Sequence, residues 1–206
     1  MTQLTLFHTA EAHRATFDTL TARIAPDARL THVVRPDWLA RAQGGIDDDL
    51  RTEITKTIEA VPGCLCTCTT IGTVAGAAGA VRIDWPMMQA AARSGGVVLL
   101  VFCLESTRIP SSDLLEEAFG QEGRPPRYHT LALQDLWPMY TAGDKDRFAQ
   151  AIGSRIDSEL ALLPDIACVV LAQASMADAA GFSRAGVPVL SSPELALKAA
   201  LGLKAC

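Results

Sequence analysis

Residues 63–72 read GCLCTCTTIG, with cysteines at 64, 66 and 68 followed by Thr69 and Thr70. Thiols can hold a metal, shuttle electrons, move a proton as acid and base, or serve as small apolar residues in a strand. The spacing of two decides part of this. On a strand, alternate side chains share a face and lie about 6.6 Å apart along it, from a rise of about 3.3 Å per residue. Three such neighbours on one rigid strand cannot close on a single ion. Zinc sites favour turns of the C-x₂₋₄-C type with further ligands nearby, whereas the four histidines here, His8, His13, His32 and His129, are scattered. No C-x-x-C redox pair exists in this stretch.

Buried cysteine behaves as a small hydrophobe, which accounts for Cys64 and Cys66, and for the mid-strand Cys103 and Cys168. Cys206 is terminal, and its exposure is expected. Cys68 admits two readings. It is either a third packing residue or a thiol at the carboxyl end of its strand, where ligands bind in open α/β sheets. In the second case the turn TTIG and the start of the next short helix offer backbone N–H groups, which favour an anionic ligand and a thiolate.

The elements that must position this thiol follow from short apolar runs alternating with helical patterns. Strands are expected at 4–9, 29–34, 63–68, 81–83, 97–104, 128–133, 166–173 and 187–190. Helices are expected at 11–25, 47–60, 86–93, 111–119, 145–162 and 193–201. Such alternation predicts right-handed βαβ units and parallel sheets. The order of elements occurs twice. Each copy closes on a short strand and a helix opened by proline, Pro86 in VRIDWPMMQAAA and Pro193 in VPVLSSPELALKAA. Two α/β halves are expected, 1–93 and 94–206, with the last stretch of the first free to pack on the other.

Composition narrows the function classes. The 206 residues are 49% hydrophobic and 20% charged, with no low-complexity tract, so an ordered chain is expected. Eighteen basic against 23 acidic residues give a net charge of −5, and no basic stripe is present, which disfavours nucleic acid and anionic membranes as partners. The opening MTQLTLFHTAEAH lacks the charged and apolar regions of a secretory signal. The run GGVVLLVFCLEST is too short to span a bilayer, for which about 20 apolar residues are needed. A cytoplasmic protein is expected, and there six irregularly spaced cysteines do not read as a disulfide framework.

The segments CTTIGTVAGAAGAVRIDWPMMQAAARSGG and VVLLVFCLEST, and later VVLAQASMADAA and VPVLSSPELAL, resemble the aspartate/glutamate/hydantoin racemase superfamily in order and spacing over nearly the whole chain. The resemblance implies two pseudo-symmetric flavodoxin-like halves, each a four-stranded parallel sheet flanked by helices, with the active-site cleft between them. It also implies chemistry without pyridoxal phosphate or metal, so no cofactor, on a small carboxylate substrate. In such racemases each half supplies one cysteine, and the two act from opposite sides of the carbon beside the carboxylate.

Carried over by position, the first-half cysteine matches Cys68, with Thr69 and Thr70 as the hydroxyl residues that hold the carboxylate. In AQASMA the second cysteine is matched by Ala174, beside Ser175, so the two-thiol pattern is broken. Other groups expected to reach the cleft are His8 and Thr9, Asp84, Glu105, Ser106 and Thr107, and Gln173. His8 reads either as an acid, base or orienting group or as a structural hydrogen-bonder. Glu105 reads as a solvent-facing carboxylate or as the substitute for the missing acid. Ser106, Thr107 and Ser175 also suit helix capping. Three functions follow: a racemase or isomerase of an amino-acid-like or hydantoin-like carboxylate, a decarboxylase of the arylmalonate type, or a noncatalytic carboxylate binder. A homodimer would be ordinary for such a fold.

Overall fold

The computed structural model describes residues 2–184 and 186–203. The chain opens with β1 (Gln3–His8), α1 (Ala12–Ile24) and β2 (Arg29–Val34), followed by α2 (Pro36–Ala42) and α3 (Asp48–Glu59). Next come β3 (Leu65–Cys66), α4 (Thr69–Ala77) and β4 (Val81–Arg82). These strands form one parallel sheet in the order β2-β1-β3-β4. Helix α3 shows why the local sequence folds this way. The Asp47 side chain accepts from the Leu50 N–H at 2.7 Å as N-cap, and Leu50, Ile54 and Ile58 recur four apart to form its buried face. That face packs with Phe7, Trp38, Ile71 and Val74 over Cys64, Cys66 and Cys68. The three thiols therefore share one side of the sheet, as strand alternation requires.

After α5 (Trp85–Arg93) the pattern repeats with β5 (Val97–Phe102), α6 (Glu105–Gln121) and β6 (Tyr128–Ala132). Then follow α7 (Trp137–Thr141), α8 (Lys145–Leu160), β7 (Ile166–Leu171), β8 (Val189–Ser191) and α9 (Ser192–Ala200). The second sheet is also parallel, in the order β6-β5-β7-β8. Every residue of β5 is buried, as expected of a central strand covered on both faces. Its core includes Leu99, Val101, Val169 and Leu171 with Phe148, Ile152 and Ile156 from α8.

Two compact units result, Met1–Pro86 with Pro193–Cys206, and Met87–Ser192. The first division thus falls after Pro86, where the sequence suggested 93, because most of α5 belongs to the second unit. Likewise α9 from Pro193 onward belongs to the first. Differences from the sequence expectations are local. Helix α2 is not among the expected helices; Pro36 takes its first turn, where its missing N–H costs nothing. Helix α6 begins at Glu105 rather than 111 and carries Pro110 inside it. The strand expected at 63–68 pairs only over Leu65–Cys66. Cys206 lies outside the described residues.

Candidate functional site

The end of β3 leads into α4 through Thr67 and Cys68. Cys68 is the N-cap of α4, with extended backbone at φ −120° and ψ 120°. Its side chain makes no capping hydrogen bond. The first backbone N–H groups of a helix have no partner within it, so α4 presents uncapped donors beside this thiol. Thr69 and Thr70 occupy the first turn and are half-buried. Burial pushes the thiols of Cys64, Cys66 and Cys168 up, and that of Cys103 to about 12. Those four are packing residues.

The second sheet has the same construction, and its ladder identifies the counterpart of Cys68. In the first sheet Cys66 pairs with Phe7 on one side and Arg82 on the other, and the Thr67 N–H donates to the Phe7 carbonyl at 2.9 Å. In the second, Leu171 pairs with Val101 and Ser191, and the Ala172 N–H donates to the Val101 carbonyl at 2.9 Å. Cys66 therefore corresponds to Leu171, Thr67 to Ala172 and Cys68 to Gln173. Gln173 is itself an N-cap, at φ −120° and ψ 138°, before the 3₁₀ helix Ala174–Gly181. The position assigned from sequence to Ala174 thus belongs to Gln173. Ala174 falls in the register of Thr69, and Ser175 in that of Thr70.

Gln173 is buried, and its Oε1 accepts from the backbone N–H groups of Cys103 (2.7 Å) and Leu104 (3.0 Å). Two bonds on one oxygen fix the plane of the carboxamide and leave its NH₂ as donor. The Ser175 hydroxyl is buried without a hydrogen-bond partner. Neither group titrates near neutral pH, so neither replaces a thiol as acid or base.

The remaining candidates divide by availability. His8 is fully buried and both ring nitrogens are engaged, Nδ1 with Thr67 Oγ1 at 2.8 Å and Nε2 with His32 Nδ1 at 2.8 Å. No ring nitrogen is left for a substrate, so His8 is not a base for one. Asp84 is equally buried, and both its oxygens accept from Arg82, each at 3.0 Å. Its expected substrate contact gives way to an internal ion pair. Glu105 lies on the exposed first turn of α6, its side chain 61% accessible, bound to Arg108 and accepting from Gln134 Nε2 at 3.2 Å. Thr9 and Thr107 are buried at the ends of β1 and the first turn of α6, and Ser106 is exposed.

Sequence reasoning missed Arg82, Thr67, His32 and Asp18. One signal for His32 was present: in the parallel ladder it pairs with Leu6, which shares a face with His8. Among the described residues no group of three or more His, Cys, Asp or Glu could hold a metal ion, and no helix is long and apolar enough to cross a membrane.

No family model matches the chain, and no curated protein matches it in sequence. Solved structures do match it along its length. An aspartate racemase from Picrophilus torridus is 13% identical, with 100% of this chain and 96% of that one covered and a TM-score of 0.69. An aspartate racemase homologue from Pyrococcus horikoshii is 14% identical, covering 98% of each chain at a TM-score of 0.65. A glutamate racemase from Francisella tularensis, in complex with D-glutamate, is 14% identical, with 96% of this chain and 79% of that one covered at 0.60. At such identities the likeness is one of fold: this chain has the two-half α/β fold of aspartate and glutamate racemases.

Proposed function

We propose that the protein is a racemase-like, cofactor-independent enzyme acting at the carbon next to the carboxylate of a small amino-acid-like or hydantoin-like substrate, with Cys68 as its acid and base. The observation that carries this reading is the Cys68 thiol at the uncapped start of α4, with Thr69 and Thr70 in the same turn. The racemase fold supports it. As thiolate, Cys68 takes the α-proton: the C–H bond breaks, an S–H bond forms, and the electron pair delocalises onto the carboxylate. The helix N–H groups and the threonine hydroxyls bind that developing negative charge, which lowers the barrier more than the proton transfer alone. The thiol then returns its proton to the same carbon.

Gln173 favours a second reading. With a carboxamide at the counterpart of Cys68, one thiol serves the reaction. A single acid also suffices for a decarboxylase of the arylmalonate type, in which loss of carbon dioxide leaves an enediolate that Cys68 protonates. Incubation in deuterium oxide with amino acids, hydantoins and malonates, monitored by NMR and chiral chromatography, tests both. Deuterium at the α-carbon of an amino acid or hydantoin supports the first reading, and carbon dioxide release from a malonate supports the second. A thermal shift without turnover on any of them would leave a noncatalytic carboxylate binder. Cys68→Ala should abolish either reaction; turnover that survives it would overturn the assignment.

A further inference from the structure

Strand β6 ends the second sheet, paired with β5 on one side and, among the described residues, with no strand on the other. Its ladder shows which backbone groups are spent. The Val98 N–H donates to the Arg127 carbonyl at 3.0 Å, and the Leu133 N–H donates to the Phe102 carbonyl at 2.8 Å. In a parallel pair, alternate residues turn both backbone groups toward the same neighbour. His129 and Leu131 therefore use theirs on β5, while Tyr128, Thr130 and Ala132 turn theirs outward. Among the described residues none of these outward groups has a hydrogen-bond partner. His129, Thr130 and Ala132 are also exposed, beside a β5 that is buried throughout.

A free edge recruits another strand unless charge, proline, a bulge or shortness blunts it. β6 has no such device: YHTLA contains no proline and no Asp, Glu, Lys or Arg, and its register with β5 is unbroken. The other edges are blunted. β4 and β8 span 2 and 3 residues, and β2 opens on exposed Arg29.

The outward groups of β6 fit a second copy of themselves. Thr130 lies midway between Tyr128 and Ala132. When another β6 lies antiparallel about a two-fold axis at Thr130, that residue exchanges a pair of hydrogen bonds with its own copy. On either side of the axis Tyr128 exchanges a pair with Ala132 of the partner subunit. Charge selects the same direction. Arg124 and Arg127 precede the strand, and Asp135, paired with Arg155, follows it. Antiparallel pairing sets these basic leads at opposite ends, each toward the acidic exit of the other copy, whereas parallel pairing would set them side by side. Helix α6 flanks the strand, since its Glu116 accepts from the Tyr128 hydroxyl at 2.6 Å. Ile109 lies two turns earlier on the same helix face and is 57% exposed, which adds apolar surface beside the edge.

We propose that the protein forms a two-fold dimer in which β6 pairs antiparallel with β6 of a second copy, joining the two β6-β5-β7-β8 sheets edge to edge.

Sedimentation velocity of the pure protein over a dilution series tests this. The native chain should sediment as a dimer that dissociates on dilution. Thr130→Pro removes one outward N–H from each copy and no hydrogen bond between β6 and β5, so an edge strand accommodates it. Two hydrogen bonds are lost at the axis, and the dissociation constant should rise by a factor of about 30 or more, with the circular dichroism spectrum unchanged. A second pair of variants does not depend on proline. The axis sets position 130 against itself, so Thr130→Lys alone and Thr130→Asp alone should each be monomeric, and an equal mixture of the two should dimerise. A native protein that is monomeric throughout the series, as expected if the edge takes an unlike peptide instead, would overturn the proposal. So would a dimer that Thr130→Pro leaves unchanged, or a mixture of Thr130→Lys and Thr130→Asp that associates no better than either variant alone.

Discussion

At the scale of single residues, the question raised by three cysteines in one strand is answered by environment. Cys64 and Cys66 point into the same core as Ile54 and Ile58, and burial raises both thiols. Iodoacetamide reacts with thiolate, so thiols held protonated react slowly. At pH 7 Cys68 should therefore be alkylated before Cys64, Cys66, Cys103 and Cys168, in a Cys206→Ser background that removes the terminal thiol. Faster labelling of Cys66 than of Cys68 would contradict the register of β3. His8 makes a second prediction, through stability. Burial lowers its pKa from the ordinary imidazole value of about 6.5 to about 3 in the fold, so between these values the unfolded chain binds the proton that the native state refuses. The His8 contribution is fully present above pH 6.5 and is lost as pH falls. Between pH 7 and pH 5 urea denaturation should show a loss of about 2 kcal/mol that His8→Asn does not share. Equal losses in both proteins would remove His8 as the cause.

Among the elements, α4 is placed by an ion pair that composition alone does not reveal. Arg82, at the end of β4, donates to both oxygens of buried Asp84 and packs on α4 at Gly72 and Gly76. A Cβ at Gly76 would lie 3.0 Å from Arg82 Cγ and Cδ, and one at Gly72 would lie 3.1 Å from Arg82 Nε, itself a donor to Asp84. The guanidinium cannot give way without loosening a buried carboxylate. Gly72→Ala and Gly76→Ala should each destabilise the protein by about 1–3 kcal/mol as overpacking, outweighing the ~1 kcal/mol that alanine otherwise adds to a helix. With Arg82→Ala in the background, Gly76→Ala should become neutral or stabilising in the same urea titration. Destabilisation that persists there would place the clash elsewhere. The strands of both sheets were legible in the sequence because β-branched and apolar runs such as VVLLVF are bounded by glycine and polar residues. Helix boundaries were less so at prolines. Pro36 starts α2 and Pro110 lies within α6, two stretches that are helical in the fold but lie outside the helices expected from sequence, because proline in the pattern weakens the helical signal.

For the molecule as a whole, the repeat was legible from the order of its elements, but its alignment was not legible to the residue. AQASMA contains no thiol to anchor the match, and one register step separates Ala174 from Gln173. Only the ladder hydrogen bonds, from Thr67 to Phe7 and from Ala172 to Val101, remove that ambiguity. The network around His8 was invisible for a related reason: its members come from α1, β1, β2 and the turn after β3, and only the sheet order brings them together.

Gln173 at the counterpart of Cys68 has a chemical consequence that kinetics can read. A carboxamide does not ionise near neutral pH and cannot serve as general acid or base, so a reaction with Cys68 as its one acid returns the proton to the face from which it came. In deuterium oxide a substrate should then gain deuterium faster than it loses optical purity. Gln173→Cys restores a thiol at the counterpart of Cys68 and should raise racemisation relative to exchange, whereas Ala174→Cys, one register step away, should not. Equal rates of exchange and racemisation in the native protein would show that a second acid already operates. Loss of racemisation, with exchange retained, in Glu105→Gln would then identify that acid as the one carboxylate in the first turn of α6.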